Sequence, residues 1–154
     1  MLSKGFALSL FALLVVSVGC APAPAPAPKV KALAVADVSA GLSRLTELRD
    51  AIKAAFDAGT PHECDGALHE ASDILNDLPA VAANQGLDEE AQGKVKSASA
   101  KLFEALMVIH EGFHGHGGAT ADENAYEGVA EDIEAGLQAL AEIVGEPTAE
   151  ETAP

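Results

Sequence analysis

The sequence predicts an all-α fold, an up-down-up-down antiparallel four-helix bundle, and three observations carry that prediction. Apolar residues recur at spacings of three and four in four separate stretches, the period of an amphipathic helix. Glycine and proline punctuate the gaps between the stretches, and two of the three connections are very short, so successive helices must fold back on one another. The chain has no Trp, one Tyr and five Phe among its 154 residues, which leaves the core to Leu, Ile, Val and abundant Ala, a composition suited to closely packed helices.

The first helix is expected from Asp37 to Ala58, with Val38, Leu42, Leu45, Leu48, Ile52, Ala55 and Phe56 inward and Gly59 as its C-cap. Thr60, Pro61 and Glu63 stand at the N-cap, N1 and N3 positions of a second helix and form a capping box there. That helix runs to Leu78, where Pro79 is expected to stop it, and a loop from Pro79 to Leu87 follows. Its core stripe is Cys64, Ala67, Leu68, Ala71, Leu75 and Leu78. A second stripe, His62, Asp65, His69, Asp73 and Asn76, lies well over 100° away around the axis.

Asp88 caps a long third helix ending near Phe113 or His114, with Val95, Ala98, Leu102, Leu106, Ile109 and Phe113 inward and Phe103, Met107, His110 and His114 along its flank. Gly115 to Gly118 break the chain, and Thr120 to Glu123 offer a capping box for a fourth helix with core positions Tyr126, Val129, Ile133, Leu137, Leu140 and Val144. Gly145 closes it.

The segments outside the bundle carry an address. Residues 1–19 have the form of a secretory signal: Lys4 supplies the positive start, Phe6 to Val16 the apolar stretch, and small residues end it. The apolar stretch is short for a membrane span. Ser17-Val18-Gly19-Cys20 resembles the lipobox of bacterial lipoprotein precursors over residues 1–22, and that resemblance implies a lipidated Cys20 (palmitate among its acyl chains) and an anchor in the outer membrane, facing the periplasm. An ordinary signal cleaved near Ala21 or Ala23 is the other reading. Residues 20–34 contain the repeat APAPAPAP, a semi-rigid polyproline II spacer. The bundle is assigned to residues 35–145, and the acidic residues 146–154, without apolar periodicity, to a disordered tail.

A net charge of −15 excludes nucleic acid as a partner, since phosphate recognition needs clustered Lys and Arg. No catalytic motif is present: GHGGA follows a helix rather than a strand, so it is no phosphate cradle, and there is no nucleophile elbow. The chain is therefore not expected to be an enzyme.

What remains is a concentration of histidine. In the antiparallel topology His62, His69, His110, His114 and His116 all fall at one pole. Neutral imidazoles with carboxylates or a thiolate suit Zn, Cu or Ni. His110 and His114, one turn apart, form the primary pair; His69 or His62 from the second helix adds a third ligand and His116 a fourth. Cys64 is a further candidate ligand, and Asp65 and Asp73 are placed to orient His69 as hydrogen-bond acceptors. The competing readings are plain: histidines suit a helix C-terminus, the polar stripe suits a solvated face, and a lone Cys on an apolar stripe suits the core. On those, the chain is a structural or protein-interaction bundle with no ligand.

The architecture is similar to that of the small periplasmic cytochromes of the b562 and c-prime types. That resemblance implies haem, for which Met107 with His69, or His69 with His110, are the available ligands; the C-x-x-C-H attachment motif is absent.

Overall fold

The computed structural model describes residues 33–113 and 124–145. The expected signal, Cys20, the expected linker up to residue 32, His114, His116, the capping box expected at Thr120 to Glu123 and residues 146–154 lie outside the described residues. Within them the chain forms α1 (Val38–Asp57), a 3-10 turn (Pro61–Cys64), α2 (Asp65–Asn84), α3 (Glu89–Phe113) and α4 (Ala125–Gly145), with no strand among the described residues.

Specific contacts fix the direction of every helix. Near the start of α1, the Ala34 N–H donates to Asp77 Oδ2 in the second half of α2 and the Val38 N–H to Oε1 of Gln85, the residue that caps its C-terminus. Phe56 at the end of α1 stacks on Tyr126 at the start of α4, with ring centroids 5.9 Å apart. His69 meets His110, and Leu102 faces Gly136. Each helix packs on its two neighbours, and α1 on α4 closes the ring. The result is an antiparallel up-down-up-down four-helix bundle.

The core follows the apolar stripes. Leu45, Leu48 and Ile52 of α1, Leu68, Leu75 and Leu78 of α2, Val95, Leu102 and Ile109 of α3, and Ile133, Leu137 and Leu140 of α4 are all buried. A cavity of about 10 Å³ lies at their centre, at the lower limit for a single ordered water.

Three local expectations need correction. Pro79 does not end α2, which continues to Asn84. The continuation buries Val81 and Ala82 and keeps Leu78 fully enclosed. Burial of large aliphatic side chains contributes about 1.5–3 kcal/mol each, comparable with the ~3 kcal/mol that an interior proline costs. The real stop is Gly86, at φ +73°, where the Leu87 N–H reaches Ala82 O and the Gly86 N–H reaches Ala83 O, as in a Schellman motif. Gly59, at φ +69°, closes α1 in the same way, with Thr60 N–H on Ala55 O.

Thr60 does not form a backbone capping box. The Glu63 N–H donates to the Thr60 carbonyl at 2.9 Å, an i to i+3 bond that closes a 3-10 turn, and α2 begins only at Asp65. At the end of α4, Ile143 rather than Val144 is inward; Val144 is exposed. Asp88 does cap α3, its Oδ1 accepting from the Ala91 N–H at 2.8 Å.

Candidate metal centre

The expected histidine pole has a smaller and better-defined centre than the sequence suggested. Asp65 is the first residue of α2, and His69 follows it by one turn on the same face. His110 approaches from α3. Antiparallel pairing at this level sets the two imidazoles edge to face, their centroids 5.1 Å apart and their planes at 75°. Ligand atoms of Asp65, His69 and His110 lie within 4.8 Å of one another.

The Asp65 carboxylate is partly buried at the start of α2. Its Oδ1 is shielded from solvent and has no hydrogen-bond partner among the described residues. His69 Nε2 is 3.6 Å from it, too far for a hydrogen bond. A shielded carboxylate oxygen without a donor is a costly arrangement unless a cation or a donor completes it.

A zinc-sized ion binds imidazole nitrogen and carboxylate oxygen at about 2.0–2.2 Å, which sets tetrahedral donors about 3.4 Å apart. His69, the exposed member of the three, is the side chain with freedom to rotate toward that spacing. Three protein donors would leave a fourth position open.

The other candidates among the described residues lie elsewhere. His62 falls in the 3-10 turn, where residues advance by about 120° rather than 100°, so it loses the helical register expected for it with His69. It is exposed and not among the converging donors. Asp73 is exposed on the following turn of α2.

Cys64 is buried, and its Sγ lies 3.0 Å from the Pro61 carbonyl, to which the thiol donates. Burial pushes the thiol pKa up to about 11, and Cys64 is not among the converging donors. Asp65 is the residue whose role the sequence undervalued. Its i, i+4 relation to His69 put it on the same face, and that spacing was the signal available.

Comparison with protein-family models, with curated protein sequences and with solved structures gives no match to this chain.

Proposed function

We propose that this protein is an exported lipoprotein, anchored to the outer membrane through Cys20 and facing the periplasm, whose helical bundle binds a divalent transition metal ion, Zn, Cu or Ni, through Asp65, His69 and His110. The single observation that carries the reading is the convergence of a shielded, donor-free carboxylate oxygen and two imidazoles from two helices within 4.8 Å. Two nitrogens and one oxygen form a borderline donor set, which suits these ions better than Mg or Ca. The acidic surface favours the approach of cations. His114, one turn beyond His110 in the sequence, is the natural fourth ligand.

Packing weighs against the haem reading. The small central cavity and the close edge-to-face contact of His69 with His110 leave no slot for a macrocycle between them. The interaction-bundle reading draws on the α3–α4 face, where Val108 is 52% exposed beside an open groove.

Calorimetry on the tag-free chain tests the proposal. One ion per chain should bind with release of protons, because imidazoles coordinate only when neutral. His69→Ala and His110→Ala should each weaken binding by at least about tenfold. His62→Ala should leave it unchanged. No heat with any of the three ions would leave the interaction bundle as the better reading. Labelling with radioactive palmitate, lost on Cys20→Ser, tests the anchor independently.

A further inference from the structure

About 9–15 Å along α2 from His69, a second set of polar groups borders one cleft. Leu75, Asn76 and Pro79 of α2 and Lys96, Ser99 and Phe103 of α3 line an open space of about 290 Å³. Ser99 is only 3% exposed, and its Oγ has no hydrogen-bond partner among the described residues. Pro79 has no N–H, so the carbonyl of Leu75, four residues earlier, lacks the donor that an α-helix normally supplies. A buried hydroxyl and a helix turn whose carbonyl has no i+4 donor thus border one cleft.

Both groups are satisfied by one small group that donates to the carbonyl and exchanges a hydrogen bond with the hydroxyl. A carboxylate fails, because it would set lone pairs against the Leu75 carbonyl. Lys96 and Glu104 at the cleft oppose each other in sign, and Ala100 and Phe103 add apolar wall, so the surroundings favour a neutral ligand.

We propose that this cleft is a second ligand site, taking a neutral hydroxyl group that donates to the Leu75 carbonyl and pairs with Ser99 Oγ. The hydroxyl comes from an ordered water or from the end of a small alcohol. Water has the two polar partners that a buried site requires, and the cleft is large enough for either source.

A double-mutant cycle on the full chain tests it, with Ser99→Ala, Pro79→Ala and the pair compared by thermal unfolding. If a hydroxyl bridges the two groups, Ser99→Ala lowers Tm although Ala is the better helix former. The same change then lowers Tm less, or not at all, once Pro79→Ala has returned an N–H to the Leu75 carbonyl.

Titration with glycerol, followed by backbone amide shifts, separates the sources. Saturable shifts at Leu75, Asn76 and Ser99 that disappear in Ser99→Ala assign the site to an alcohol. Non-additive unfolding without such shifts assigns it to water. An increase in Tm on Ser99→Ala that is equal in both backgrounds would overturn the proposal, because that is the behaviour of a hydroxyl bonded to nothing.

Discussion

Replacing Gly136 by Ala tests the α3–α4 contact that holds one side of the bundle. A Cβ placed there would lie 2.7 Å from Leu102 Cδ2 and 3.2 Å from Cδ1. Comfortable carbon contacts begin near 3.5 Å, so either Leu102 or the helix axis must give by nearly 1 Å. Leu102 is only 2% exposed and has no open side into which to swing. Overpacking of this kind costs about 1–3 kcal/mol, while Gly to Ala within a helix returns about 1 kcal/mol. The net expectation is a loss of about 1 kcal/mol, which for a domain of this size lowers Tm by roughly 4–8 °C. Gly93→Ala and Gly128→Ala are the matched controls, since a Cβ at either position meets nothing within 4 Å. Each should raise stability by about 0.5–1 kcal/mol. Melting followed by circular dichroism reads all three. If Gly136→Ala melts as high as the controls, α3 and α4 do not approach at this level and the packing described for them is wrong.

The metal site predicts a rise in Tm on adding Zn: at a free concentration one hundred times Kd the gain is about 2.7 kcal/mol, and it should vanish in the His69→Ala, His110→Ala double variant. That gain should shrink as pH falls, because protons compete for the imidazoles; a gain that grows on acidification would contradict ligation by histidine. Cys64 should react slowly with a thiol reagent in the native protein and rapidly in denaturant, since it is buried and its thiol is pushed up to about 11; equal rates would show the core open there. Hydrogen bonds from Arg44 hold the Glu70 carboxylate below its ordinary range. The pair's contribution is therefore present above the unfolded-state pKa of Glu70 and lost as pH falls through the folded one. Wild type and Glu70→Gln should accordingly differ slightly at neutral pH and converge in acid; a difference that widened in acid would reverse the assigned sign.

The fold was legible because its information is periodic. Leu45, Ile52, Leu68, Leu102 and Leu140 each repeat a helical spacing that many neighbours share, so one misread residue changes little. Helix ends depend on single residues and were less secure. Pro79 is a strong local stop, yet the buried Leu78, Val81 and Ala82 carry α2 past it, and the decisive signal was the glycine at position 86. The site was harder for the same reason. Whether His62 shares a face with Asp65 and His69 turns on whether Pro61–Cys64 is 3-10 or α, a difference of about 20° per residue that periodicity cannot detect over four residues.

That 3-10 turn also explains why the donors separate as they do. Pro61 and Cys64 are buried within it, and the thiol donates to the Pro61 carbonyl, so the turn is anchored from inside. Asp65 leaves the turn as the first residue of α2 and starts a regular register in which His69 stands directly above it. His110 comes from α3, whose long stripe from Val95 to Ile109 fixes its height against α2. One helix supplies an i, i+4 carboxylate and imidazole, and its antiparallel neighbour supplies the other imidazole. A metal bound to all three would cross-link α2 to α3 near the end where the turn begins. Binding would then resist separation of those helices, so metal affinity and bundle stability must move together.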